Sequence, residues 1–114
     1  MLEKKGDNML IQQGDVLFMS ITDLPANCKS RNNPILVKGE TTGHHHAIAT
    51  DTLLESLEDI LYEDKHGDLY IKNEKPITIT HQEHRAIDVP PGIWKVERVK
   101  EYDHFLEESR FVHD

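Results

Sequence analysis

The sequence is poor in the features that mark the specialised classes of protein. Cys28 is the only cysteine among 114 residues, so no internal disulfide can form and a reducing cytoplasm is the expected compartment. No stretch approaches the roughly 20 apolar residues of a membrane span, and no apolar run follows the first lysines, which argues against a signal peptide. The short motifs of dinucleotide-binding, P-loop, thiol-redox, zinc-protease and serine-hydrolase sites are also absent.

Basic residues are scarce relative to acidic ones. The chain has 13 Lys and Arg against 21 Asp and Glu, a formal net charge of −8. Such a surface repels phosphate backbones and anionic lipids, so the composition argues against nucleic-acid and membrane partners. A small-molecule ligand or a cation suits it better, and self-association into a homo-oligomer is compatible with it.

What the chain does contain is a series of short apolar or β-branched runs separated by turn residues, with no linker between them. Seven or eight strands at this spacing predict a mainly-β fold, a single small β-barrel or β-sandwich with at most one or two short helices. We expect a flexible leader over residues 1–8 and one β domain over residues 9–114. Apolar residues at spacings of three and four after Asp51 predict the one helix, although residues 60–62 also favour a strand. Hairpins are predicted at Gly67 and at the turn of residues 90–92.

Histidines are concentrated in two segments. Five of the 8 histidines lie in Thr42-Gly43-His44-His45-His46 and His81-Gln82-Glu83-His84. Side chains alternate along a strand, so His44 and His46 share one face while His45 points away. If the second segment lies beside the first, His81 joins that face.

Clustered imidazoles are typical metal ligands, and the sequence predicts a divalent metal at His44, His46 and His81. Zn is favoured, with Fe, Mn and Ni also compatible. A straight second segment offers Glu83 as the fourth ligand. A turn there offers His84 instead, which we favour, with Glu83 as an outer partner or base. The competing interpretation is that these histidines only form structural hydrogen bonds.

Residues that could carry protons complete the candidate site. Glu83, Glu101 and Tyr102 are the candidate catalytic groups, the last two because they follow the strand that contains Trp94. Trp94 itself is predicted to lie in the core. Cys28 lies in a loop without a basic cluster, so a catalytic thiolate is not expected.

Five segments, taken in order, resemble a small family of uncharacterised bacterial and phage proteins of about this length, with the pattern QQGDVLL, GExTGHxH, HxEH, PPGxYxV and EY. The segments are residues 12–17, 39–46, 81–84, 90–96 and 98–102. The resemblance implies that the positions of all the clustered histidines except His45 are kept, together with Glu83, but it implies no activity. Trp94 stands where the pattern has tyrosine. The HxH pair followed by Asp51 is also similar to the first motif of cupins, although the Pro-Gly turn here follows the last histidine.

The sequence therefore predicts a small cytoplasmic metal-binding β protein of unknown substrate, with metal-dependent hydrolysis or other metal-activated-water chemistry as its candidate activity. The alternative is a non-enzymatic phage or host accessory module with structural histidines. Whether the protein is an enzyme stays open at this point.

Overall fold

Over the residues that the structure describes, the fold consists of two antiparallel sheets and one short helix. The computed structural model describes residues 9–38 and 45–99. Their elements, in chain order, are β1 (Leu10–Gln13), β2 (Val16–Ser20), β3 (Lys29–Ser30), β4 (Ile35–Lys38), β5 (His45–Ile48), α1 (Leu57–Ile60), β6 (Leu61–Glu63), β7 (Leu69–Asn73), β8 (Ile77–Thr80), β9 (Ile87–Val89) and β10 (Gly92–Arg98). The predicted mainly-β class is confirmed. The predicted leader lies outside the described residues, and the single-domain boundaries stay a prediction.

The sheets share one apolar core. The larger sheet has the strand order β1-β2-β10-β7-β6-β3, and the smaller has β4-β5-β8-β9. Phe18 and Trp94 from the first sheet and Ile48 and Ile79 from the second belong to the same buried cluster. Over the described ranges the strands form two separate sheets, so they do not close into a barrel. The burial of Trp94, which is 2% exposed, confirms its predicted place in the core.

The predicted hairpin at residues 90–92 is wrong. β9 pairs with β8 in the smaller sheet, whereas β10 lies between β2 and β7 in the larger one. The chain therefore crosses between the sheets at Pro90 and Pro91, which have no N–H groups to give to a ladder. Asn73 holds the crossing in place, because its Nδ2 atom donates to the carbonyl oxygens of Val89 and Pro90.

The predicted helix is a single turn. It begins after Ser56 and ends at Ile60, so only the end of the predicted helical stretch after Asp51 is helical. Leu54, counted on the apolar face of the predicted helix, is 75% exposed, while Ile60 and Leu61 are fully buried. Glu55 accepts hydrogen bonds from the backbone N–H groups of Glu74 and Lys75, which ties the irregular stretch to the β7–β8 turn. None of the helical residues described forms a helix long and apolar enough to cross a membrane.

Two tight hairpins connect neighbouring strands of the larger sheet. β1 and β2 are joined by the two residues Gly14 and Asp15, with Gly14 at φ +58°, a conformation that glycine adopts readily. The predicted hairpin between β6 and β7 is confirmed, with Gly67 at φ +87°.

Candidate metal site

The two histidine segments lie side by side. β5 and β8 are antiparallel neighbours, and Ala47 and Thr80 are register partners. Continuing that register by one residue places His46 opposite His81, just beyond the end of β8. Burial alternates along β5: His46 is 2% exposed, whereas His45 is half-buried.

Three imidazole rings come together at this edge of the smaller sheet. The ring centroids of His46 and His81 are 4.3 Å apart, those of His81 and His84 are 4.6 Å apart, and those of His46 and His84 are 6.2 Å apart. The planes of His46 and His84 are nearly parallel, at 14°. These three rings are hereafter called the imidazole cluster.

A turn after β8 brings His84 into the imidazole cluster. The backbone N–H groups of Glu83 and His84 donate to His81 Nδ1 at 3.0 and 3.2 Å, so the His81 ring closes the turn that follows it. The side chain of Gln82 reaches back to β5 and accepts from the backbone N–H of His45 at 2.9 Å. The straight alternation of faces therefore ends at His81, and the ring of His84 lies beside His81 and His46 while Glu83 is exposed.

The β1–β2 turn lies against the cluster. A Cβ atom built on Gly14 would stand 2.5 Å from His84 Nε2, so only a residue without a side chain allows this approach. Gln13, the last residue of β1, is 3% exposed, and its Oε1 atom lies 2.7 Å from His46 Nδ1. Asp15, on the other side of Gly14, places Oδ1 at 3.3 Å from His46 Nε2.

Gln13 joins the two sheets through its whole amide group. Its Nε2 atom donates to the carbonyl oxygen of Ile79 at 3.0 Å and to that of Arg85 at 2.8 Å. Both partners belong to the segment that carries His81 and His84. Gln13 therefore fixes the first hairpin to the histidine segment, besides contacting His46.

Charges around the site act on two of its groups. Burial lowers the pKa of His46, and the neighbouring His81 ring lowers it further, which outweighs the opposite effect of Asp15. Burial acts to raise the pKa of Asp15, but the Arg98 guanidinium, whose Nε donates to Asp15 Oδ2 at 3.0 Å, helps to bring it below its ordinary value. Both shifts favour a neutral imidazole beside an ionised carboxylate near neutral pH.

The structure places the remaining predicted residues as follows. His44, Glu101 and Tyr102 lie outside the described residues, so their roles as ligand and proton carriers stay predictions. Within residues 9–38 and 45–99, no group of three or more His, Cys, Asp or Glu side chains is arranged, as it stands, to hold a metal ion. His66 is exposed in the β6–β7 turn.

Sequence reasoning missed Gln13 and Asp15. Both look like ordinary residues of a hairpin turn, and their contacts with His46 span 33 and 31 residues. The signal available was the polar triplet Gln13-Gly14-Asp15 between two largely apolar runs, which the family resemblance also includes.

Comparison with models of protein families finds a match over residues 12–99 to a model described as Domain of unknown function (DUF8820). Comparisons with curated proteins and with solved structures find no match. The predicted resemblance to an uncharacterised family is confirmed at that level. Its individual motifs and its link to phages stay predictions.

Proposed function

We propose a function from the geometry of the site alone. The chain belongs to the DUF8820 family, whose domain has no known function, so the family itself suggests no activity. The protein binds one divalent metal ion at His46, His81 and His84, and the metal activates a water molecule for hydrolysis or related chemistry. Zn is favoured, and Fe, Mn and Ni suit the same imidazoles. His44 is a further candidate ligand, and Glu83, Glu101 and Tyr102 are candidate proton carriers.

The observation that supports the proposal best is that the rings of His81 and His84 lie beside the buried ring of His46. Imidazoles bound to one tetrahedral ion at about 2.0–2.1 Å have centroids roughly 5 Å apart. The observed separations of 4.3, 4.6 and 6.2 Å bracket that value. Because His84 is exposed, its ring can rotate to complete the coordination. The net charge of −8 also favours the approach of a cation.

A cleft between the β6–β7 turn and the end of β10 has room for a small ligand. Its volume is about 280 Å³, and it is lined by apolar side chains of both sheets and by charged groups, including Leu36, Leu69, Val96, Asp68, Glu97 and Arg98. This is slightly below the roughly 300–1,000 Å³ of pockets for drug-sized molecules. Arg98 also contacts Asp15, which contacts His46, so two side chains connect the cleft to the imidazole cluster.

Metal analysis of protein purified without a histidine tag tests the proposal. We expect about one equivalent of metal, and removal of it by a chelator lowers the melting temperature because the metal stabilises only the folded state. His84→Ala weakens Zn binding by at least about tenfold, since the ion loses a ligand. The matched control is His66→Ala, which removes an exposed histidine from the β6–β7 turn and leaves binding unchanged.

Two outcomes of these measurements would contradict the proposal. Less than about 0.2 equivalents of any metal, together with an unchanged melting temperature after chelation, contradicts a metal-binding role. Equal loss of binding in His84→Ala and His66→Ala contradicts the proposed location.

An interaction module is the second candidate function, favoured by an exposed apolar patch. Among the described strands β1 lies at one end of the larger sheet, and its Leu10 is the register partner of Met19. These two residues are 46% and 38% exposed, and Met9 beside them is 53% exposed. An apolar strand at a sheet end is a surface on which a second copy of the chain can add its own strand.

Light scattering at the highest soluble concentration tests this second candidate. We expect the wild-type chain to have the mass of a dimer and Leu10→Lys to have that of a monomer, because the charge cannot be buried at the interface. Leu54→Lys, at a site 75% exposed on another part of the surface, is the control and stays dimeric. A monomeric wild-type chain contradicts the interaction role.

A further inference from the structure

We infer that Asp15 Oδ1 and His46 Nε2 are two ligands of the same metal ion, and that Gln13 prepares His46 for this by holding its proton on Nδ1. The inference rests on the proposed function, since it names further ligand atoms of that site. Neither Asp15 nor Gln13 belongs to the predicted histidine segments.

Gln13 determines which nitrogen of His46 carries the proton. Both hydrogens of its amide group point at carbonyl oxygens, those of Ile79 at 3.0 Å and Arg85 at 2.8 Å. A carbonyl cannot donate, so the amide cannot be flipped without losing both bonds. Gln13 Oε1 is therefore the atom at 2.7 Å from His46 Nδ1, and an oxygen of this kind only accepts. Nδ1 must be the protonated nitrogen.

The other nitrogen of His46 then presents a lone pair to a carboxylate. In the neutral ring Nε2 is an acceptor, and Asp15 Oδ1 lies 3.3 Å from it. Two acceptors at this distance repel each other unless something positive lies between them. The second oxygen of Asp15 already accepts from Arg98 Nε at 3.0 Å, so Oδ1 is the atom turned towards the imidazole.

A proton on Nε2 is the obvious positive group, but the geometry fits it poorly. Hydrogen bonds from a charged nitrogen to a carboxylate are about 2.7–2.9 Å long. The observed distance of 3.3 Å is longer. A protonated His46 ring would also be a buried charge, since the residue is only 2% exposed and lies beside two further imidazoles. Two ligand atoms bound to one tetrahedral ion at about 2.0–2.1 Å are roughly 3.3–3.4 Å apart, which matches the observed distance.

The arrangement is also the usual way in which a protein prepares a metal-binding imidazole. A ligand histidine gives its other N–H to a fixed acceptor, which sets the tautomer and the orientation of the ring. Gln13 is suited to this because it is 3% exposed and held at both ends of its amide group. A nitrogen and a carboxylate oxygen together select divalent ions such as Zn, Mn or Fe over soft Cu(I), which prefers sulfur.

Nitrogen-15 NMR of the metal-free protein at pH 8, with a chelator present, tests the tautomer directly. We expect His46 to carry its proton on Nδ1 and to have a bare Nε2. The opposite tautomer, or a doubly protonated ring at this pH, overturns the inference. This measurement needs no metal, so its result is independent of whether the protein binds one.

Zn titration of two matched variants tests the ligand role of Asp15. We expect Asp15→Asn to weaken Zn binding roughly 10–100-fold, since the amide is a far poorer ligand than the carboxylate. Asp23→Asn removes an exposed carboxylate from the loop after β2 and leaves the affinity unchanged. Circular dichroism checks that both variants are folded.

The two proposals fail in different ways. If Asp15→Asn binds Zn as tightly as Asp23→Asn while His84→Ala does not, the imidazole cluster binds metal without Asp15 and this inference is wrong. If the wild-type protein binds no Zn, the proposed function fails and the ligand role of Asp15 fails with it.

Discussion

Gln13→Leu is expected to lower the free energy of unfolding by about 3 kcal/mol, the largest stability effect among the single changes discussed here. The leucine fills a similar volume but leaves three polar groups of the interior without their partner: His46 Nδ1 and the carbonyl oxygens of Ile79 and Arg85. Each buried group left unpaired costs about 1–3 kcal/mol, and water reaching the half-buried Arg85 carbonyl keeps the total near the lower end.

The neighbouring glutamine provides a matched control. Gln12 is half-buried in the same strand, and its Nε2 atom makes one hydrogen bond, to the carbonyl oxygen of Gly14 at 2.9 Å. Gln12→Leu should therefore cost no more than about 1 kcal/mol. Urea unfolding followed by circular dichroism compares the two variants. Equal losses of stability would show that Gln13 is not the polar connection between the sheets that its contacts indicate.

Gly14→Ala is expected to weaken Zn binding roughly 10–100-fold while costing only about 1–2 kcal/mol of stability. The cost in stability comes from φ +58°, which a residue with a Cβ adopts unfavourably. The effect on Zn has a different origin. The new Cβ would stand 2.5 Å from His84 Nε2, so the exposed ring must leave its place beside His81.

Gly67→Ala separates these two effects. Gly67 also has a positive φ, +87°, but its added Cβ meets only Glu63 Oε2, at 3.8 Å. This variant should lose a similar amount of stability and keep its Zn affinity. Thermal unfolding and Zn titration of both variants give the comparison. If Gly14→Ala and Gly67→Ala bind Zn equally well, the position of the His84 ring is irrelevant to the metal.

Local patterns were sufficient to predict most of the strands, whereas the pairing of the two histidine segments entered the prediction only as a condition. The alternation in β10, with Trp94 and Val96 inward, follows directly from period-two burial. The β6–β7 hairpin follows from a glycine that must adopt a positive φ. The turn that brings in His84 was one of two alternatives that the sequence left open, and the hydrogen bonds to His81 Nδ1 decide between them.

Patterns failed where distant partners decide the structure. Pro90 and Pro91 suit a hairpin turn, yet β10 pairs with β2 and β7, and nothing local specifies that pairing. The leucines after Asp51 fit a helical face, but Ile60 and Leu61 are both buried at a helix-to-strand junction. Gln13 and Asp15 acquire their roles only through a segment more than 30 residues away.

The three hydrogen bonds of the Gln13 amide also have a consequence for how the chain folds. They link the first hairpin to residues 33, 66 and 72 positions later, so each must close a long loop before it contributes any stability. Contacts of such high sequence separation form late and slow the folding of β proteins. During synthesis the residues of the first hairpin therefore leave the ribosome long before Arg85 does. A chain truncated before Arg85 lacks one of the partners that hold Gln13 in place. A binding-competent His46 thus requires that the first hairpin has docked on the segment from Ile79 to Arg85.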